Sequence, residues 1–152
     1  MSPQNKTTFS PILPKLLFLF GFLIYANTIT HDYALDDAIV ITDNQYTQDG
    51  LEGLKGIFSY DTFYGFFKEE GKSKLVAGGR YRPLSLATFA VEISIFGASP
   101  FVSHIVNALL FALCSYLVFY VLNEILQQIP DGAIISLFTA FIFVVWPTRR
   151  SN

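Results

Sequence analysis

The sequence predicts an all-α membrane protein: about three transmembrane helices, plus interfacial helices in one large polar loop. Three observations carry this. Of the 152 residues, 52% are hydrophobic and only 14% charged, where soluble domains run nearer about a quarter charged. Aromatic residues reach 16%, with 16 Phe and 8 Tyr, which suits bilayer interiors and interfaces. Charge is also gathered in one place. Residues 30–83 hold nine of the 12 acidic side chains (Asp32, Asp36, Asp37, Asp43, Asp49, Glu52, Asp61, Glu69 and Glu70) and six of the 10 basic ones (Lys55, Lys68, Lys72, Lys74, Arg80 and Arg82).

After an N-terminal tail over 1–11, the first predicted span covers 12–30. Leu16 to Thr30 carries no charge, and with Lys15 snorkelling the run is close to the ~20 residues that cross the hydrocarbon. The other reading of this run is a secretory signal peptide, with Lys6 and Lys15 as its basic region and cleavage after Ala26. Ile24 stands where a small residue is preferred there, so an uncleaved anchor is the expectation.

Residues 31–100 form the polar loop. Within it, Leu51, Leu54, Ile57, Phe58, Phe63, Phe66 and Phe67 recur at three- and four-residue spacing. This predicts an amphipathic helix over about 50–67, lying at the headgroup boundary. A second interfacial helix is expected over 83–97, with Pro83 at its start and Gly97 at its stop. Glu92 in its middle needs a partner or water, because a lone carboxylate is costly in an apolar setting. Residues 69–80 read as a flexible connector.

The second span is predicted over 101–122 and the third over 133–147, with Trp146 as an interfacial aromatic. The link at 123–132 contains Pro130 and Gly132 and predicts a tight antiparallel hairpin. A short tail, 148–152, follows. Lys6 before the first span and Lys15 near its start favour a cytoplasmic N-terminus and an acidic loop on the other side, although Arg149 and Arg150 would then break the rule.

The net charge of -2 gives no basis for nucleic acid as a partner. The single cysteine, Cys114, lies in an apolar run and cannot form an intrachain disulfide. With His31 and His104 the only histidines and no cysteine pair, a zinc site is not expected.

Three groups of residues can carry chemistry. Asp36 and Asp37 are adjacent carboxylates at the membrane exit. They can bind a divalent cation, or one can take a proton from an attacking hydroxyl. A solvated turn is the plain alternative. Arg80, Tyr81 and Arg82 pair two phosphate-matching guanidinium forks with an interfacial ring. They read equally as a clamp for a lipid-linked phosphate and as anchors for the helix at Pro83. His104 and Asn107 are three apart, hence on one face of the second span. They can line a polar cavity or bond to another helix.

In order along the chain, "YALDDAIVITDN" (Tyr33 to Asn44), "YRPLSLATFAVEISIFG" (Tyr81 to Gly97) and "SPFVSHIVNALLFAL" (Ser99 to Leu113) resemble the N-terminal part of the GT-C membrane glycosyltransferases. The closest likeness is to the protein O-mannosyltransferase-related enzymes and their bacterial relatives, many of which carry tetratricopeptide repeats. The resemblance covers roughly residues 12–147 and implies a partial GT-C fold. It further implies a sugar moved from a polyprenyl-phosphate donor to an acceptor the sequence does not name. Asp36 and Asp37 match the family's acidic motif, whose Asp is a catalytic base or holds a divalent cation such as Mg or Mn. The Arg-Pro-Leu at Arg82 and the His-x-x-Asn at His104 match family positions with no catalytic role assigned.

Family members have many more spans, whereas this sequence passes from Trp-Pro-Thr into "RRSN". That reads as a truncated or frameshifted frame, and such a fragment is expected to be inactive alone. The competing reading is a small non-enzymatic membrane subunit or assembly partner whose acidic loop meets another chain.

Overall fold

The computed structural model describes residues 12–34, 36–67 and 80–146. The predicted tails, most of the connector at 69–80, and Pro147 at the end of the third predicted span lie outside the described residues. Every regular element among those described is helical. They fall into two compact units, one of residues up to Thr28 and from Ile105 onward, the other of Ile29–His104.

The first unit holds three helices. α1 (Ile12–Tyr25) runs on as a 3-10 turn at Ala26–Thr30, α6 spans Pro100–Ile125 and joins this unit from Ile105, and α7 spans Gly132–Val145. Leu17, Phe119, Ala140 and Val144 form the buried core, with Ile24, Phe111, Val118 and Leu137 packed around it. Small residues set the closeness of this packing. A Cβ on Gly21 would sit 3.5 Å from the Ala112 Cα and 3.4 Å from Ser115 Oγ, so α1 and α6 meet nearly backbone to backbone. Ser115 donates to the Phe111 carbonyl (2.9 Å) and Ser136 to that of Gly132 (2.8 Å). Neither hydroxyl is therefore stranded among apolar neighbours.

The outside of this unit is apolar as well. Leu16, Leu23, Phe138 and Ile142 are each more than half exposed. Ile12–Thr30 and Pro100–Ile125 are the two described helical stretches long and apolar enough to cross a membrane, and their apolar windows are only 11% and 22% buried. A soluble core helix would be mostly buried, whereas a helix apolar on all sides and left open is what lipid requires. α7, at 14 residues, is about 21 Å long, short of a hydrocarbon layer of about 30 Å.

The turn into α7 is tight. Asp131 adopts φ 58, and a Cβ on Gly132 would overlap the Leu126 carbonyl. Only glycine fits there.

The second unit is a cluster of short helices beneath α5 (Pro83–Phe96). A π-helical turn at Ala38–Thr42 leads into α2 (Gln45–Gln48), then a 3-10 turn at Gly50–Gly53, α3 (Leu54–Ser59) and α4 (Thr62–Phe67). The stretch 50–67 is thus three pieces rather than one amphipathic helix. The break has a cause. Tyr60 is extended, at φ -127 and ψ 165, and Asp61 Oδ1 accepts the amides of Phe63 (2.8 Å) and Tyr64 (3.2 Å). An aspartate capping a new first turn competes with continuing the old helix.

Ile57, Leu86 and Ala90 form the buried core here, with Val40, Tyr46, Leu54 and Ala87 around them. Pro83 opens α5, and Gly97 closes it at φ 75. Ser94 ties α5 to the 3-10 turn. It accepts the Leu51 amide and donates to the Ala90 carbonyl, both at 2.9 Å.

Candidate functional site

The acidic pair sits on a turn held by its own backbone. Asp37 N–H donates to the Ala34 carbonyl (2.9 Å), and Ala34 N–H donates to Asp37 Oδ2 (2.7 Å). This reciprocal pair resembles a capping box, in which a carboxylate at the fourth position satisfies the amide that opens the turn. It also separates the two aspartates by role. Asp37 is half-buried and has one oxygen committed to the backbone, while Asp36 is exposed.

The π-helical turn begins immediately after Asp37 and ends at Asp43, whose amide donates to the Ala38 carbonyl (2.9 Å). Beyond it lies an open cleft of about 520 Å³ lined by Thr42, Asp43, Gln45, Gln48, Asp49 and Phe66.

Asn44 holds this end of the turn. It is fully buried, and its side-chain amide donates to the Ile39 carbonyl (3.0 Å) and the Thr62 carbonyl (2.9 Å). Its Oδ1 accepts the Thr47 amide (3.3 Å). Three segments are thereby joined by one side chain. The sequence marked Asn44 only as the end of a motif; its place before a short helix, as a cap, was the available signal.

Tyr46, Tyr60 and Tyr64 stack nearly parallel beside it, with ring centroids 4.4–6.2 Å apart. Burial, then the neighbouring hydroxyls of Tyr64 and Tyr60 and the charge of Asp49, push the Tyr46 phenol above its usual range.

Arg80 and Arg82 are exposed and flank Tyr81, itself 57% exposed. The Tyr81 hydroxyl donates to the Phe58 carbonyl (2.9 Å), and the Arg80 carbonyl accepts the Thr62 amide (3.0 Å). The backbone is therefore pinned at the start of α5 while both guanidinium groups face outward. Among the described residues, no hydrogen bond or ion pair joins either arginine to Asp36 or Asp37.

His104 is half-buried, and its Nε2 is buried without a hydrogen-bond partner. Asn107, three residues further along α6, belongs to the other unit and is exposed.

Glu92 was flagged by its sequence position as needing a partner, and the partner is Ser103. Glu92 is 6% exposed, and its Oε2 accepts the Ser103 hydroxyl at 2.8 Å. The Ser103 Oγ also lies 3.3 Å from the Tyr33 hydroxyl. Glu92 Oε1 is buried with no partner. Burial pushes this carboxyl above its usual range, with the Ser103 hydrogen bond pulling the other way.

No three His, Cys, Asp or Glu side chains among the described residues come together as a metal cage. Asp36 and Asp37 supply at most two carboxylates, one already accepting an amide. That donor set suits an ion completed by phosphate oxygens and water, as magnesium is commonly held, rather than an all-protein site.

These elements define a helical chain with two helices long and apolar enough to cross a membrane, and an acidic polar loop between them in sequence. Its homologues are protein O-mannosyl-transferases, and it matches a segment of that family. It is 29% identical to the human protein O-mannosyl-transferase TMTC1 over 125 residues, which is 82% of this chain and 13% of the relative. The mouse TMTC1 is 27% identical over 127 residues, 84% and 13% of the respective chains. A protein O-mannosyl-transferase of Caenorhabditis elegans is 30% identical over 150 residues, covering 97% of this chain and 21% of its own. The chain thus spans 13–21% of the length of these curated relatives. No family model matches it, and no solved structure does.

Proposed function

We propose that this chain supplies the acidic loop and the first spans of a GT-C-type glycosyltransferase that moves mannose from a polyprenyl-phosphate donor to a hydroxyl acceptor. The observation that carries the reading is the exposed Asp36 on a turn fixed by Asp37, in a chain whose relatives are named O-mannosyl-transferases. In this reading Asp36 takes the proton from the acceptor hydroxyl as its oxygen bonds to the sugar carbon, while that carbon's bond to the donor phosphate breaks and polyprenyl phosphate leaves. Asp37 keeps the turn in place. A divalent cation, when bound by this pair, would draw charge from the donor phosphate.

The outward guanidinium groups of Arg80 and Arg82 match phosphate oxygens geometrically and would contact the donor's phosphate at the membrane surface. Tyr81 holds them at that depth. The cleft between Asp43, Gln45, Asp49 and Phe66 offers carboxylates, an amide and a ring to the acceptor's polar groups.

α7 acts as a third, short span, and the N-terminus is cytoplasmic, with the acidic loop on the other side. Because the chain spans only a small part of its relatives, the 152-residue segment alone carries out no transfer. The competing reading is a non-enzymatic membrane subunit whose acidic loop meets another chain.

The test is to replace the matching segment of the human relative with this chain and measure O-mannosyl transfer in membranes. The Asp36→Asn variant should abolish transfer with protein levels unchanged. Unimpaired turnover would remove the role given to Asp36. Should the chimera fail to fold, polyprenyl-phosphate binding to the native chain in lipid nanodiscs tests the arginine clamp directly. Arg80→Ala with Arg82→Ala should weaken it at least about tenfold, since two charge-assisted contacts are lost.

A further inference from the structure

The Glu92 carboxyl is difficult to account for as packing. α5 is an apolar helix, and a leucine would fill the same volume without the cost of burying a polar group. Its hydrogen bonding is also incomplete, since Oε2 has one donor and Oε1 none. A buried polar group kept at a cost is best explained by what it holds in place.

What it holds can be traced atom by atom. Ser103 has one hydroxyl proton, and that proton goes to Glu92 Oε2 at 2.8 Å. Ser103 Oγ therefore meets Tyr33 as an acceptor, and the Tyr33 hydroxyl is the donor at 3.3 Å. The chain of bonds runs in one direction, from Tyr33 through Ser103 to Glu92. Its outer link is longer than most hydroxyl–hydroxyl bonds and is the weaker of the two.

Tyr33 lies in the stretch His31–Ala34, which has no regular secondary structure and hence no helical bonding of its own. Ala34, next along, opens the turn that carries Asp36 and Asp37. The tie at Tyr33 therefore anchors that turn to α5 and to the first turn of α6.

We propose that Glu92 is a positioning residue for the acidic turn: through the Ser103 hydroxyl it holds Tyr33, and with it the backbone that presents Asp36 and Asp37. The significance of this role rests on the transferase reading, but the positioning itself does not.

Amide hydrogen exchange of the native chain in nanodiscs is the deciding experiment, because it reads the turn without any need for activity. Glu92→Leu should speed exchange at the Ala34 and Asp37 amides about tenfold, the loss of one hydrogen bond to a carboxyl group. Glu92→Gln still offers an oxygen to Ser103 and should keep most of the protection. Tyr33→Phe, which removes only the outer link, should give a smaller acceleration at the same two amides. The Ile57 and Leu86 amides should be unaffected in all three.

Unchanged exchange at Ala34 and Asp37 in Glu92→Leu overturns the proposal. So does Glu92→Gln behaving like Glu92→Leu. Accelerated exchange spread through residues 29–104 in Tyr33→Phe, which is too mild to unfold the unit, also overturns it by exposing a general scaffold role. Failure of mannosyl transfer in the chimera would instead count against the transferase reading and leave this result standing.

Discussion

Gly65 packs directly onto the side-chain amide of Asn44, so closely that a Cβ there would overlap Oδ1. That amide cannot step aside, because both of its donors and its acceptor are engaged. Gly65→Ala therefore forces a rigid group to move and should destabilise the Ile29–His104 unit by about 1–3 kcal/mol, as overpacking of a tight interior does. Thermal unfolding in detergent, followed against the parent chain, checks this.

Asn44 itself should be more sensitive. Asn44→Ala strands the Ile39 and Thr62 carbonyls and the Thr47 amide, for a loss of about 2–4 kcal/mol. Asn44→Asp can still accept from Thr47 but places an acceptor against two carbonyls. It should be at least as damaging at neutral pH and should recover in acid, where the carboxyl regains a proton to donate. Chemical unfolding at pH 7 and pH 4 separates the two variants.

The two aspartates should part company on mutation. Asp37→Ala removes the oxygen that accepts the Ala34 amide and should cost about 1 kcal/mol, the usual worth of such a cap. Asp36→Ala leaves thermal stability unchanged, because its exposed side chain supports nothing in the turn. Equal melting shifts for both variants would contradict this division.

Glu92 sets a pH dependence whose sign follows from its environment. Its folded-state pKa is raised above the ordinary value of 4.5, chiefly by burial. The protonated carboxyl is thus the form that folding favours. Its contribution is fully present below the unfolded pKa and is lost as pH rises through the folded one. Glu92→Gln carries no charge to lose, so its stability should be flatter over the mildly acid range and at pH 7 should equal or exceed that of the parent. A parent curve that rises through that range more steeply than the variant's would refute the sign.

Gly21 offers a graded test of the helical unit. At 3.4–3.5 Å from Ser115 Oγ and the Ala112 Cα, a methyl group makes ordinary contact. Gly21→Ala should be neutral or stabilising by up to about 1 kcal/mol from helix propensity. Gly21→Leu must push α1 away from α6 and should lower the melting temperature in detergent.

The apolar elements were legible in the sequence because one physical signal, a long uncharged run, marks them. Pro83 and Gly97 likewise stand at the two ends of α5, since each acts through its own backbone. The loop between was less legible. Its helices are only four to six residues long, too short for periodicity to show. The stripe from Leu51 to Phe67 hid the break that Asp61 makes by capping locally. Asp36 and Asp37 could be singled out as a pair, but their different roles depend on an amide three residues back. The Glu92–Ser103–Tyr33 chain joins positions up to 70 apart, and no pattern of spacing announces it.

The three parallel tyrosine rings at Tyr46, Tyr60 and Tyr64 also have an optical consequence. Transition dipoles this close couple wherever they are skewed to one another, so the ultraviolet circular dichroism of the chain should carry a tyrosine exciton signal superimposed on that of its helices. The single tryptophan, Trp146, lies in the other unit. Because Tyr25, Tyr116 and Tyr120 lie in the same unit as Trp146, it is the signal of the stack, not tyrosine ellipticity as a whole, that would follow the loop while tryptophan fluorescence follows the helices.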